Sequence, residues 1–563
     1  MAIGKLKQHS SESNVPLPLS KKESKLYMSF LHVAFIALLI GGLMGLLQTL
    51  VRSGKFTLPW GIDYYQILTV HGVILGLVLT TYFIIGFQYA LMGKTVGISL
   101  KQCKIAWIGF WIMVIGTLMT AVTILLGKAS VLYTFYAPLK AHPAFYIGLA
   151  FVIIGSWVAA SVNFRQLYVW KKSHPGKKSP LLAFMVVINM LMWVIASMGV
   201  AASVLIQFIP WSLGYTETIN VLVSRTLFWY FGHPLVYFWL LPAYMAWYAI
   251  IPKIIGGKIF SDALARMAFI LLLFFSIPVG FHHQLTEPGI DPTWKFIQVV
   301  LTFMVVIPSL MTAFSIFATF EITGRRKGFS GLFGWFKHLP WKDVQFLAPV
   351  IGMLAFIPGG AGGIINASHQ MNAVVHNTIW VTGHFHLTAA TTVVLTFFGI
   401  TYWLVPALTG RKITPQINKL GIIQAIIWTV GMTIMSGAMH IIGLFGAPRR
   451  SAFSTYGGTD QAAEWIGYQM AQAIGGSILF IGILLMVYIF VKLAFFAPKG
   501  VEEFPIAEEE EDADPTPKFL ENWKLWIAIT IALILFAYTI PFIEIIQNSP
   551  PGSPPFDWPI GNT

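Results

Sequence analysis

The sequence has little charge and almost no cysteine. Only 10% of its 563 residues are charged, whereas soluble domains carry roughly 25%. The single cysteine, Cys103, excludes an internal disulfide and any metal site built from cysteines alone. Because 56% of the residues are hydrophobic, the composition indicates an integral membrane protein and not an ordinary soluble domain.

The hydrophobic residues are collected in long runs. A membrane-spanning helix needs about 20 mostly apolar residues, and thirteen runs meet that need. We therefore predict an all-α membrane protein, a single-domain bundle of about 13 transmembrane helices. It would have a cytoplasmic tail (1–25), an acidic loop (502–517) and a proline-rich outer tail (547–563). The runs lie at approximately residues 26–50, 64–93, 105–127, 143–170, 181–209, 221–251, 264–284, 294–320, 344–367, 376–406, 419–446, 463–496 and 522–545.

The net charge of +14 is concentrated in alternate loops. Basic residues crowd the first 25 positions and then recur in every second loop between the predicted spans. This alternation follows the positive-inside rule and predicts a cytoplasmic N-terminus. Thirteen spans then put the C-terminus outside. Since a membrane surface accounts for the positive charge, we expect no nucleic-acid partner.

Six histidines are predicted to lie in one layer of the bundle. Counting along the spans at ~1.5 Å per residue puts all of them some 10–18 Å below the outer surface. Histidine at lipid depth is energetically costly and generally functional, so the layer predicts metal binding. The six come from four spans: His71, His233, His282, His283, His384 and His386.

Three of these histidines suit one metal ion that keeps an open position. His282 and His283 are adjacent and can meet on one ion only near a helix end, which is where they lie. His233 precedes Pro234, which we expect to disrupt the helix and let the imidazole lean out. Three neutral imidazoles suit copper or zinc, and the lack of cysteine or carboxylate at this depth favours copper.

The other three histidines suit two haems on either side of the tenth span. His384 and His386 are two residues apart, about 200° around a helix, so they point to opposite sides. His71 and His386 would hold one haem from both faces. His384 would hold a second haem from one face only, which leaves the other face open to a small ligand beside the copper.

These motifs resemble subunit I of the haem–copper oxygen reductases, in particular the B-type branch of ba-type cytochrome c oxidases. Thirteen predicted spans, one more than the twelve-helix core common in that family, agree with this branch. The stretches that carry the resemblance are TVHG at 69–72, HPLVY at 233–237, the histidine pair at 282–283 and GHFH at 383–386.

The resemblance implies a catalytic subunit of a terminal respiratory oxidase in a bacterial plasma membrane. Low-spin haem b would bind His71 and His386, and a high-spin a- or o-type haem would bind His384. Copper would bind the other three histidines, and O2 would be reduced to water between the high-spin haem and copper. The family also implies that protons are both consumed and pumped.

The resemblance gives Tyr237 a catalytic role. It implies that this tyrosine is covalently joined to the copper ligand His233, four residues earlier, and supplies an electron and a proton. Further hydroxyls match the single proton path of the B-type branch, although serine and threonine in membrane helices more often serve helix packing. The expected path is Tyr244, Tyr248, Ser261, Ser309, Thr312 and Ser315.

Basic residues near the outer face are expected to meet haem propionates. Arg449 and Arg450 follow the eleventh span, and in the family such a pair binds propionates by charge-assisted hydrogen bonds. The alternative is contact with lipid headgroups. His376 lies on the same side, close to Asn372. A B-type oxidase that this sequence resembles carries an acid at the position of Asn372.

Electron entry is predicted to lie on another chain. A dinuclear copper centre needs two cysteines, and only Cys103 exists. We therefore expect a subunit II that carries this centre and takes electrons from cytochrome c; quinol is the alternative donor. A nitric oxide reductase would need iron in place of copper and glutamates at the metal depth, where no span has one. A secondary transporter would show inverted repeats, and none is visible.

Overall fold

The computed structural model describes residues 19–59, 61–96, 103–452, 458–508, 515–549 and 552–555. Much of the predicted N-terminal tail, the acidic run at 509–514 and the last residues of the proline-rich tail lie outside this part of the chain. In the described part, the chain forms a bundle of long helices.

Thirteen long helices follow one another in the described chain, close to the predicted spans. Twelve are long and apolar enough to cross a membrane, and the exception is α7. In order they are α1 Lys21–Arg52, α2 Tyr64–Val96, α3 Cys103–Leu125, α4 Pro143–Ser173, α5 Leu181–Ser212, α6 Val221–Ile254, α7 Asp262–Ser276, α8 Pro292–Arg326, α9 Val344–Ala367, α10 Ile379–Thr409, α11 Pro415–Leu444, α12 Asp460–Phe496 and α13 Trp523–Asn548.

Helix α7 ends before the predicted span at 264–284 does, and the last residues of that span are not α-helical. The helix ends after 15 residues at Ser276. Pro278, which has no amide hydrogen to donate, follows two residues later. The backbone amides of Gly280 and Phe281 instead donate to the side-chain oxygen of Gln298 on α8, both at 2.8 Å. This irregular segment leads into a short 3₁₀ helix, Phe281–His283, which carries two of the six histidines.

Successive helices run up and down, which gives the bundle an N-terminal face, where α1 begins, and an opposite face. On the N-terminal face the segment after α12 is tied to the loops beside it: the Lys412 amide donates to the Pro498 carbonyl at 2.9 Å. On the opposite face the Arg52 guanidinium donates to the Ser451 carbonyl at 2.8 Å. Loops of the same parity therefore meet on the same face, as the charge pattern predicts.

A buried charge network on the N-terminal face holds the start of α7 against the segment before α13. Arg266 is fully buried and donates to Asp262 at 2.8 Å, to Glu521 at 2.7 Å and to the carbonyl of Ser179 at 2.5 Å. Burial alone would raise the pKa of Glu521, but hydrogen bonds from Lys171 and Ser179 and the charge of Arg266 lower it. Each charge in this network is therefore compensated.

Two of the histidine-bearing helices contain a π-helical turn. In α2 the residues Ile74–Leu79 are π-helical, three positions after His71. In α10 the π-helical segment is His386–Val393, which begins at the second histidine of the pair. Such turns are rare and frequently occur at functional sites. They change the direction of the helix face beyond each histidine, an effect that regular helix geometry does not predict.

Candidate metal centre

His71 and His386 face each other across the bundle, from α2 and α10. Their ring centroids are 6.1 Å apart and the ring planes are inclined by only 12°. A metal–imidazole bond is roughly 2 Å long, so the gap between the rings has room for one metal ion bonded to both. The pair therefore fits an iron held from two sides.

Backbone carbonyls orient both rings. The Nδ1 of His71 lies 2.8 Å from the carbonyl of Gly41, and the Nδ1 of His386 lies 2.8 Å from the carbonyl of Thr382. A carbonyl only accepts, so each Nδ1 carries the hydrogen and each Nε2 keeps its lone pair for a metal. At Gly45 a Cβ would come within 2.7 Å of the His71 ring, so this position must be glycine for α1 to approach so closely.

A cavity of about 340 Å³ contains both of these rings. Its walls come mainly from apolar residues of α1, α2, α6, α10, α11 and α12, and Arg449 and Arg450 also line it. An apolar cavity with two opposed imidazoles and a basic edge fits a haem with its propionates at that edge.

His384 projects to the other side of α10, toward α9. Its Nδ1 would lie 2.7 Å from a Cβ at Gly362, and the Trp380 ring stacks near it at 6.0 Å between centroids. The cavity between His71 and His386 does not include His384. The two histidines of α10 are thus directed into different surroundings, as the spacing of two residues predicts.

His233, His282 and His283 converge on one point. One ring nitrogen from each lies within 4.8 Å of the others, and the three residues could hold a metal ion. The Nε2 atoms of His233 and His283 are buried with no hydrogen-bond partner in the described chain. Buried polar atoms without partners are costly, and three neutral imidazoles fit copper. The donor set therefore suits the predicted metal.

Helix α6 carries His233 without a break, so the expected disruption at Pro234 is wrong. The helix passes through both Pro234 and Pro242. His233 reaches the other two histidines because the 3₁₀ helix Phe281–His283 brings them to α6. The adjustment that lets three imidazoles meet is therefore in the segment after α7 and not in α6.

Tyr237 lies beside the three-histidine cluster. Its ring is one turn along α6 from His233, with centroids 5.1 Å apart. Further along the same helix, Tyr244 donates to Ser309 at 3.4 Å and Tyr248 donates to Thr312 at 3.1 Å. The predicted hydroxyls of α6 and α8 thus pair across the interface of these two helices.

The comparisons with known proteins agree with this geometry. The family model for polypeptide I of cytochrome c and quinol oxidases matches residues 25–478. Subunit 1 of cytochrome c oxidase from Thermus thermophilus is 40% identical over 542 residues, which cover 94% of this chain and 96% of the relative. The chain belongs to this family.

Two further proteins are similar to this chain, one in structure and one in sequence. A heme–copper terminal oxidase dimer solved by cryo-electron microscopy superposes with a TM-score of 0.92 at 38% identity, covering 97% of this chain and 96% of that one. Subunit 1 of a quinol oxidase from Bacillus spizizenii is only 25% identical, covering 82% of this chain and 70% of the relative. The chain is thus the catalytic subunit of a cytochrome c oxidase, an integral membrane protein of a multi-subunit complex that uses haem and copper.

The structure adds residues of the oxidase that the sequence pattern did not single out. Thr302 of α8 lies 3.1 Å from the Nδ1 of His282, and the Trp229 ring stacks on His283 at 3.8 Å. Both fix the orientation of a histidine from outside the cluster. Neither forms part of a recognisable motif, because the contacts join distant segments of the chain.

The hydroxyl row on α8 is also longer than predicted. Ser315 is fully buried, and Thr319 and Thr323 follow on the same face toward the N-terminal face of the bundle. Ser261 has a different position: its hydroxyl accepts from the Leu264 amide at 3.2 Å and caps the start of α7. A share of Ser261 in proton transfer stays a prediction.

The arginine pair lies at the basic edge of the cavity. Arg449 donates to the Asn377 side chain at 2.9 Å, and Arg450 donates to the Tyr133 hydroxyl at 3.2 Å. Burial and the adjacent Arg450 lower the pKa of Arg449 to about 10. Two adjacent half-buried cations attract an anion, which fits haem propionates better than exposed lipid headgroups.

His376 is part of a larger ionic cluster. Its Nδ1 lies 3.0 Å from the Asn372 side-chain oxygen, and its Nε2 lies 3.8 Å from Glu287. Arg225 donates to the same glutamate at 2.5 Å. These two basic residues hold the pKa of Glu287 below its usual range although burial opposes them. Sequence reasoning overlooked Glu287 because it lies in a loop, outside every predicted span.

Proposed function

We propose that the chain reduces O2 to water at a copper held by His233, His282 and His283 and a high-spin haem held by His384. The observation that carries this proposal is the convergence of three imidazoles, two of them buried and one half-buried, beside Tyr237. His384 projects from the opposite side of α10 to the face that carries His386. The high-spin haem is of a- or o-type.

A low-spin haem b belongs between His71 and His386. The gap of 6.1 Å between the two ring centroids supports this assignment. Arg449, Arg450 and, in the neighbouring cluster, His376 would bind propionates of the haems. When bound, the haems and copper supply electron transfer and the site where O2 is reduced.

The protein's own residues handle protons. Tyr237 would supply a proton and an electron from its phenol, and a covalent link to His233 would hold it in place. Protons would reach it along Tyr244 and Tyr248, with Ser309, Thr312 and Ser315 on α8 as partners. The hydrogen bonds between α6 and α8 support this path. The family resemblance implies that pumping accompanies this uptake.

The electrons would come from cytochrome c through a subunit II with a dinuclear copper centre. Cys103, the single cysteine, lies at the N-terminal end of α3 and cannot form such a centre alone. The basic loops of the N-terminal face support a cytoplasmic N-terminus and an outer C-terminus in a bacterial plasma membrane. The B-type branch is the form of the family that this arrangement fits.

Metal analysis and spectroscopy test the proposal. The purified complex should contain copper and two haems, and a reduced-minus-oxidised spectrum should show one haem that binds carbon monoxide and one that does not. Oxygen consumption should be driven by reduced cytochrome c. Non-haem iron in place of copper would mean a nitric oxide reductase, and turnover with quinol alone would overturn the proposed donor.

A further inference from the structure

Gln472 of α12 is a buried polar side chain without a partner in the cavity that contains His71 and His386. It is only 1% exposed, and it lines that cavity. Neither its amide nitrogen nor its amide oxygen has a hydrogen-bond partner in the described chain. Burying an amide without a hydrogen-bond partner is energetically costly. The side chain therefore needs a polar partner inside the cavity.

The neighbouring polar side chains of the cavity have partners of their own. Gln48 of α1 donates to the Met44 carbonyl at 3.2 Å, and Thr49 donates to the Leu46 carbonyl at 2.8 Å. At Gly476, one turn beyond Gln472, a Cβ would come within 2.7 Å of the Thr49 hydroxyl. Helices α1 and α12 are thus in close contact here, and the amide of Gln472 is directed into the space they enclose.

We propose that Gln472 donates a hydrogen bond from its amide nitrogen to a carboxylate oxygen of the haem that occupies this cavity. The inference rests on the proposed function, since it needs a haem between His71 and His386. An uncharged donor in this cavity complements Arg449 and Arg450, which also line it. By withdrawing charge from the carboxylate, the amide stabilises the reduced form of the low-spin haem. Gln472 is thus a positioning residue that also sets the potential of this haem.

The test is the midpoint potential of the low-spin haem in Gln472→Leu, which removes the donor and keeps a similar volume. The potential should fall, so that the ratio of reduced to oxidised low-spin haem at a fixed ambient potential drops about fivefold to tenfold. This is less than the full strength of a hydrogen bond to a charged group, because only the part that differs between the two redox states changes the ratio. The high-spin haem should titrate as in the wild type. Gln472→Glu places a second carboxylate there and should lower the potential further.

Gln424→Leu is the matched control. Gln424 is also fully buried with both amide atoms unpaired in the described chain, but it does not line the cavity. Its replacement should leave the low-spin haem unchanged. If Gln472→Leu keeps the wild-type potential, a trapped water satisfies the amide and the inference is wrong, whatever the result for Gln472→Glu. A wild-type protein without a low-spin haem would instead overturn the proposed function.

Discussion

Tyr237 is the side chain whose removal should separate haem binding from catalysis. It lies against His233, with ring centroids 5.1 Å apart, but it is not on the cavity between His71 and His386. In Tyr237→Phe we expect both haem spectra to persist and steady-state oxygen consumption to fall to background, because the proton and electron of the phenol are lost. Oxygen-electrode assays on spectrally intact enzyme measure this.

The control for this variant is Tyr230→Phe. Tyr230 lies seven residues earlier on α6, and its ring packs against that of Tyr538 on α13. Its replacement should leave turnover near the wild-type rate. Wild-type turnover in Tyr237→Phe would remove this tyrosine from the mechanism.

Gly45 has no side chain, and this leaves room for the imidazole ring of His71. Because a Cβ there would come within 2.7 Å of the His71 ring, Gly45→Ala should displace the imidazole and reduce the low-spin haem content at least severalfold. The pyridine haemochrome assay and the low-spin absorption band measure the loss. Gly437→Ala on α11, where a Cβ would meet nothing within 4 Å, should retain both haems; equal haem content in the two variants contradicts the explanation.

The grouping of the candidate ligands was predictable from the sequence, and the residues that orient them were not. The two-residue spacing of His384 and His386 dictates opposite directions on any helix, so the division between two surroundings follows without a structure. Gly45, Thr302 and Glu287 come close to the histidines only through packing of segments far apart in the chain. No local pattern contains that information.

At the scale of elements, the pairing of α6 with α8 is the feature with a functional consequence. Tyr248 donates to Thr312 at 3.1 Å and is almost fully buried. Tyr248→Phe should slow oxygen consumption about tenfold or more without loss of haem, since a general proton-transfer step is worth ~10²–10⁴-fold. Stopped-flow measurement of proton uptake checks the cause.

The matched control for the α6–α8 pairing is a buried tyrosine elsewhere in the bundle. Tyr89 donates to the Ala159 carbonyl at 3.1 Å, on helices that carry none of the predicted path. Tyr89→Phe removes a hydroxyl of the same kind, so its turnover should stay near that of the wild type. Equal slowing in both variants would point to packing and not to proton transfer.

The positions of the long helices were well predicted, because they follow from the length of the apolar runs. Local departures of the backbone from a regular α-helix were poorly predicted. The run at 344–367 coincides with α9. By contrast, the irregular segment after α7 is held by the side chain of Gln298 from another helix, and the π-helical turn at His386–Val393 contains no proline or glycine that would predict it. Such features arise from tertiary packing, which overrides local propensity.

At the scale of the whole molecule, the alternation of basic loops predicts which loops share a face. The hydrogen bond between Lys412 and Pro498 joins two loops that this alternation places on the N-terminal face. The charge network around Arg266 could not be predicted in this way. Its members, Ser179, Asp262 and Glu521, come from three regions of the sequence and are joined by one fully buried guanidinium. The network is the main polar tie between α7 and the segment that leads into α13.

Removal of Arg266 should therefore loosen the last helix. In Arg266→Met, Asp262 and Glu521 lose their buried cation and keep only their partly exposed lysine partners, Lys178 and Lys171. The fold should therefore be destabilised by about 3 kcal/mol, the lower end of the range for a broken buried ion pair. Thermal melting of the detergent-solubilised complex and proteolysis before α13 measure the effect. Arg325→Met is the control, since Arg325 pairs with Glu321 on the surface with its side chain 61% exposed, and it should melt like the wild type.

The same network predicts how stability depends on pH. The pKa of Glu521 is lowered in the folded protein, so its stabilising contribution is complete above its ordinary pKa of about 4.3 and is lost as the pH falls through the lowered value. Between pH 7 and pH 5 the melting temperature should therefore be insensitive to Glu521, and Glu521→Gln should remove part of the loss below about pH 4. An acid transition that is identical in Glu521→Gln and in the wild type would show that other carboxylates control it, and that the tie to α13 does not depend on this charge.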